Sequence, residues 1–195
     1  MSQNIVIILG HPDNSKPHFI KALATAYQQA AEEAGHQVEL IDVSQLTFPL
    51  LRSKEEFETG APPEPIKQAQ SKIAKADHLV LLYPLWLGTM PALVKGFLEQ
   101  VLRPDFAFKI DASGRHWKKH LRGKSARIVI TMGMPAPVYR WYFRAHGLKN
   151  LERNVLGFCG IKPIKASLIG MVEENNSNRH QLWLNRMRKY GSKGI

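Results

Sequence analysis

Three stretches of this sequence combine residue types that can act together on a ligand. The run "GHPDNSKPH", residues 10 to 18, offers the imidazole of His11, the hydroxyl of Ser15 and the ammonium of Lys16 just after a glycine. These are donors for a phosphate, and a helix starting behind them would add its N-terminal amides. A plain strand-to-helix loop, whose Ser or Asp caps the helix, fits the same residues. "YPLWLG", 83 to 88, puts Leu85, Trp86 and Leu87 where turns ordinarily hold small polar residues, so these side chains need a cover. "TMGMPAPVYRWYFRAHG", 131 to 147, shapes a turn with Gly133 and two prolines, followed by the polar aromatics Tyr139, Tyr142 and His146. A phosphate pocket, an apolar shelf and polar aromatics together suit a flavin.

Other candidates carry less. His116 and His120, spaced i and i+4, match a helical metal pair, but no carboxylate or cysteine nearby completes the set, and no metal site is expected. Cys159, in "GFCG", reads as a small core residue. No serine sits in a G-x-S-x-G elbow. The first loop lacks the second and third glycines of the dinucleotide fingerprint, and "GKS" at 123 to 125 precedes an apolar run instead of following one.

The elements that must position these loops are visible as apolar runs: "NIVIIL" at 4 to 9, "QVELI" at 37 to 41, "HLVLLY" at 78 to 83, "ARIVIT" at 126 to 131 and the weaker "KASLIGMV" at 165 to 172. Near-continuous Ile, Val and Leu suit parallel strands buried on both faces. Helical patterns lie between them. One places Phe19, Ile20, Leu23, Ala26, Tyr27 and Ala30 on one side and ends at Gly35; a second runs from Glu64 to Ala76. A third aligns Met90, Leu93, Val94, Phe97, Leu98 and Val101, with Thr89 as cap and Pro91 in the first turn. The last brings Leu182, Trp183, Met187 and Tyr190 together. Alternating strands and helices predict an α/β three-layer sandwich, a five-stranded parallel sheet in the flavodoxin-like order 2-1-3-4-5 with helices on both faces. In such a sheet ligands bind beyond the carboxyl ends of the strands, where all three stretches fall. Residues 46 to 63 and 103 to 124 fit no element.

The 195 residues fit one domain, 1 to 195. A single cysteine excludes an intrachain disulfide. With no targeting pattern and no membrane-spanning run, a soluble cytoplasmic protein is expected. The net charge of +11 is uneven: residues 1 to 102 carry 8 Lys+Arg and 11 Asp+Glu, and residues 103 to 195 carry 19 against 5. A basic half attracts phosphorylated cofactors, polyanions or an anionic membrane surface, or only keeps the chain soluble. The basic clusters lack a helix-turn-helix or zinc-finger pattern, which argues against nucleic acid as the partner.

"GHPDNS", "YPLWLGTMPALVKGFLEQVL", "TMGMPAPVYRWYFRAHG" and "FCG", in this order and spacing, resemble the NAD(P)H:quinone oxidoreductase family and look like a bacterial member of it. The same motifs are similar to the ancillary flavoproteins of glutathione-gated potassium efflux systems. The resemblance runs from Ile5 to about Met171. It implies one flavin per subunit, FAD or FMN, with NAD(P)H as donor, a quinone-like acceptor and a ping-pong hydride relay. By position it implies that His11, Ser15, Lys16 and Pro17 hold the flavin phosphate. Pro84, Leu85, Trp86, Leu87 and Gly88, with Thr131, Met132, Gly133 and Met134, would hold the ring. Tyr139 and His146 stand at the active-site tyrosine and histidine, and the site is expected across a homodimer interface. Mammalian members carry an aromatic pair where Leu87 and Gly88 stand and a double glycine where Gly133 and Met134 stand, and His146 lies one residue further from the tyrosine. The rival implied role is a flavin-bearing regulatory subunit docked on a membrane transport protein.

Overall fold

Five runs of Ile, Val and Leu become the strands of one parallel sheet, β1 (Asn4–Leu9), β2 (Gln37–Asp42), β3 (His78–Pro84), β6 (Ser125–Thr131) and β7 (Ile164–Ile169). The structure, a computed structural model, describes residues 2–111, 116–174 and 176–195. The strand order is β2-β1-β3-β6-β7, the expected order once the two short strands β4 (Phe108–Ile110) and β5 (Trp117–Lys119) are counted in sequence. Helices α1 (Phe19–Glu33), α2 (Lys54–Glu58), α3 (Glu64–Lys75), α4 (Ala92–Val101), α5 (His146–Asn150), α6 (Gly157–Cys159) and α7 (Ser177–Gly191) complete the chain.

Successive strand residues point to opposite faces, so the continuous apolar runs feed two separate cores. Val6, Ile8, Leu79, Leu81, Ile128 and Ile130 face one way and pack with Ile66 and Ile73 of α3 and Val94 and Phe97 of α4. Ile5, Ile7, Leu9, Val80, Leu82 and Val129 face the other way and pack with Ile20, Leu23 and Tyr27 of α1 and Met187 of α7. Each such side chain, taken fully out of water, contributes about 1.5–3 kcal/mol before the entropy of ordering it. The outer strands β2 and β7 bury few of their residues, which is why the last run read weakly. Of the stripe expected on α7, only Met187 is buried and Leu182 stays exposed.

The segments without a sequence assignment contain short structure. Residues 46 to 63 include α2, capped by Ser53, whose hydroxyl accepts from the Glu56 amide. The basic stretch folds into the antiparallel hairpin of β4 and β5, pairing Phe108 with Lys119 and Ile110 with Trp117; its residues 112–115 lie outside the described residues. His116 and His120 therefore flank a strand, not a helix, and each has its own partner, Asp111 and the Asp105 carbonyl. Two π-helical turns, Val138–Tyr142 and Leu151–Leu156, follow β6. Cys159 is buried as expected, and burial pushes its thiol up to about 12, which keeps it protonated and unreactive. Among the described residues no helix is long and apolar enough to cross a membrane.

Candidate functional site

At the point where the strand order reverses, between β1 and β3, the loops leaving the sheet part to form a cleft of about 680 Å³. The β1 loop lines it with His11, Asp13, Lys16, Pro17 and His18, and the β3 loop with Pro84, Leu85 and Trp86. Thr131, Met132 and Gly133 follow from β6, and Val172 and Glu173 from β7.

Gly10 lets the chain leave β1. Its amide donates to the Leu82 carbonyl at 2.7 Å, and a Cβ there would stand 2.7 Å from Val94 Cγ2. The next residues are organised around one carboxylate. Asp13 accepts from the Ser15 amide (2.8 Å), the Ser15 hydroxyl (2.6 Å) and His18 Nε2 (2.8 Å). The Ser15 hydroxyl, the Ser15 amide and His18, in that order, hold its carboxyl well below the usual carboxylate range. His18 also stacks on His11, with ring centroids 3.7 Å apart. His11 Nδ1 receives the Asp13 amide at 3.1 Å, and burial, with the neighbouring His18, lowers its pKa and favours the neutral imidazole. Neither Ser15 nor Asp13 caps α1: the helix starts at Phe19, and the cap residue His18 makes no capping side-chain bond but turns its ring to Asp13, to which Ser15 is also bonded.

The β3 loop explains its own unusual composition. Leu85 donates to Thr131 O at 2.8 Å, tying the loop to β6, while Trp86 and Thr89 exchange amide hydrogen bonds of 2.9 and 3.0 Å. Leu87 (φ 47°) and Gly88 (φ 81°) between them form a two-residue turn with positive φ at both positions, the backbone of a type I′ turn. Pro84, Leu85 and Trp86 thus reach the cleft, whereas Leu87 stands at the tip, 106% exposed, and with Gly88 lies outside the lining. Thr89 is spent on this turn and does not cap α4, whose cap is Pro91.

Thr131, Met132 and Gly133 line the cleft; Met134 does not, its side chain packing on the core and its carbonyl accepting from Met171. Ser15, on the β1 loop, is also outside the lining, turned toward Asp13. The β7 loop is the part that sequence reasoning missed. Val172 donates to Met132 O at 3.2 Å, and the Glu173 carboxylate lies about where it would touch a Cβ on Gly133, 3.5 Å away. The rule that placed the other loops at the carboxyl edge pointed to this one too, but the run feeding it was the weakest.

Tyr139 and His146 are not brought into the cleft. Tyr139 is 1% exposed, its hydroxyl accepts from the Leu148 amide at 3.1 Å, and burial raises its pKa, so here it is a packing residue. His146 opens α5 on the surface, after Arg144 (φ 54°) and Ala145 (φ 48°) turn the chain. The following Gly147 presses on the β3 loop so closely that a Cβ would lie 2.4 Å from Gly88 O. His146 therefore stands beside the tip of the β3 turn, outside the cleft wall.

A family model described as a flavodoxin-like fold matches residues 3–190. An uncharacterized NAD(P)H oxidoreductase of Haemophilus influenzae is 33% identical over 173 residues, 87% of this chain and 84% of that protein. The chain belongs to the flavodoxin-like NAD(P)H oxidoreductase family. Within this family, a mouse ribosyldihydronicotinamide dehydrogenase [quinone] is 28% identical over 139 residues, 69% of this chain, and the match spans only 59% of that relative. Solved folds agree: an NAD(P)H:quinone oxidoreductase from Methanothermobacter marburgensis superposes over the whole of both chains with a TM-score of 0.81 at 23% identity. A Bacillus anthracis FMN-dependent NADH-azoreductase, solved in complex with FMN, gives 0.74 at 15% identity, covering 99% of each chain.

Proposed function

We propose that this oxidoreductase binds one flavin in the cleft and passes electrons from NAD(P)H to a quinone-like acceptor. The residues fit such a group. The volume suits a flavin-sized ligand, the Pro84 to Trp86 wall is apolar, Gly133 presents backbone without a side chain, and the β1 loop supplies phosphate donors at the start of α1. His11, Lys16 and Pro17, with Ser15 once it releases Asp13, would hold the phosphate. Pro84, Leu85, Trp86, Thr131, Met132 and Gly133 would hold the ring. When bound, a flavin supplies the hydride chemistry that side chains lack. The chain's contribution is to orient the ring against the β3 wall and to stabilise negative charge on it through the backbone at Gly133. Donor and acceptor would use the open side of the cleft in turn, the ping-pong order.

The same reading extends to a homodimer. Trp86, Leu87, Trp141 and Tyr142 are exposed on the monomer, the last two at 73% and 79%, and a second copy covering them would wall the cleft and bring His146 to its rim. The observation that carries the proposal is the convergence of phosphate donors, apolar wall and bare backbone on one cleft at the switch point. It is tested by adding FMN or FAD to the purified protein, removing the excess and titrating with NADPH without oxygen. Retained colour that bleaches supports it, and a protein that stays colourless with both flavins overturns it. The basic second half of the chain favours a second reading, a flavin-bearing regulatory subunit of a potassium efflux system, marked by retained flavin with negligible turnover.

A further inference from the structure

Helix α7 carries charge of one sign only: residues 176 to 195 hold five Lys+Arg and no Asp or Glu. Its inward side is covered by α1, where Phe19 stacks on His180 with ring centroids 4.2 Å apart and the Tyr27 carbonyl oxygen comes within 2.2 Å of where a Cβ on Gly191 would stand. On the outward side Leu182, Arg186 and Lys189, at i, i+4 and i+7, line up along one face, and all three are exposed, Leu182 at 50%. The Arg186 guanidinium lies over the half-buried Trp183 ring, 4.6 Å from its centroid. Among the described residues only Arg179 of this segment has an acidic partner, Glu174 at 3.0 Å; Arg186, Arg188, Lys189 and Lys193 have none. The face is thus cationic, uncompensated, and apolar at its centre.

We propose that the outward face of α7 docks on an anionic lipid bilayer. Such a surface accommodates both parts of the face: the lipid phosphates neutralise Arg186, Lys189 and Lys193, while Leu182 and the edge of Trp183 enter the boundary between headgroups and acyl chains, where leucine and tryptophan are favoured. A nucleic-acid backbone would take the same cations and leave Leu182 in water. A cluster of about four to eight Lys and Arg on one amphipathic helix is enough to hold a protein at an anionic leaflet, reversibly and without insertion across it. The inference goes beyond the flavin reading and does not need it. Docked this way, the β7 rim of the cleft, from which α7 starts, lies near the bilayer, where apolar acceptors of an oxidoreductase dissolve.

The test is co-sedimentation of the purified protein with vesicles of phosphatidylcholine alone and of phosphatidylcholine and phosphatidylglycerol in equal parts, at about 0.1 M salt. Wild type is compared with Arg186→Gln/Lys189→Gln, with Leu182→Ser, and with Lys75→Gln/Lys118→Gln, which removes the same charge from exposed positions elsewhere; melting temperatures check folding. Wild type should pellet with the anionic vesicles and not with the neutral ones. Each basic residue at such a surface favours binding by roughly fivefold, so the α7 double variant should bind about 20- to 30-fold more weakly, Leu182→Ser about three- to tenfold, and the control pair by less than about threefold. No binding to anionic vesicles, or equal losses in the α7 and control pairs, overturns the proposal. Leu182→Ser binding as wild type does, with a duplex DNA oligonucleotide held as tightly as the vesicles, also overturns it and makes the face a general polyanion site. None of these results depends on whether the cleft holds a flavin.

Discussion

His78 offers the sharpest physical test, at the edge of the sheet opposite the cleft. Its ring is 2% exposed, Nδ1 lies 2.7 Å from Ser125 Oγ, and Nε2 is buried with no hydrogen-bond partner among the described residues. Burial first, then Arg127, Lys165 and His36, lowers its pKa from 6.5 to about 4. The native ring therefore stays neutral where the unfolded chain takes a proton. Above pH 6.5 neither state is protonated and His78 costs nothing; as the pH falls through 6.5 the unfolded state gains a proton, and stability drops until the native ring titrates near 4. At 1.36 kcal/mol per pKa unit, the penalty reaches about 2.5 kcal/mol at pH 4.5. Urea unfolding followed by tryptophan fluorescence, at pH 7.5 and 4.5, measures it. Wild type should lose about 2.5 kcal/mol more than His78→Gln over this interval, since all other titrating groups are common to both. Parallel losses in the two proteins would refute the reasoning and mean that the buried ring accepts a proton at ordinary pH.

Gly147→Ala places a methyl 2.4 Å from Gly88 O, a backbone atom that cannot swing aside, and should lower stability by about 1–3 kcal/mol; an unchanged melting temperature would show that the β3 turn yields freely. Tyr139→Phe leaves the Leu148 amide without its acceptor and should cost about 1–3 kcal/mol in urea unfolding while kcat for quinone reduction changes by less than about twofold. A large fall in kcat with stability intact would instead give the phenol a direct part in the reaction. Trp86→Ala removes the broadest face of the apolar wall and should weaken flavin binding roughly three- to tenfold, read by fluorescence quenching; unchanged affinity would count against the wall.

The central strands were legible because β1, β3 and β6 are covered on both sides, and a continuous run of Ile, Val and Leu has few other homes. Gly10, the Pro84 to Trp86 wall and Gly133 followed from the topology those strands impose. The β4–β5 hairpin was hidden because its strands are three residues long, and the lysines at 109, 118 and 119 mask the pattern. Tyr139 illustrates a different limit. A tyrosine after a Pro-rich turn looks available, and only the Leu148 amide, nine residues on and brought back by two left-handed residues, shows where its hydroxyl goes. The engagement of Asp13 was likewise invisible, since the same Asp and Ser in that order could have capped α1.

Leu87 stands at the tip of its turn in a conformation that disfavours a branched side chain, with that side chain wholly in water. Asparagine or glycine would relieve the backbone there, and the exposed side chain gives none of the described residues a buried contact to lose. The fold is therefore locally frustrated at this position, out of step with the consistency of its strands and helices. Stability of the lone subunit gives no reason to keep such a residue, and the second copy proposed above to cover the turn would supply one.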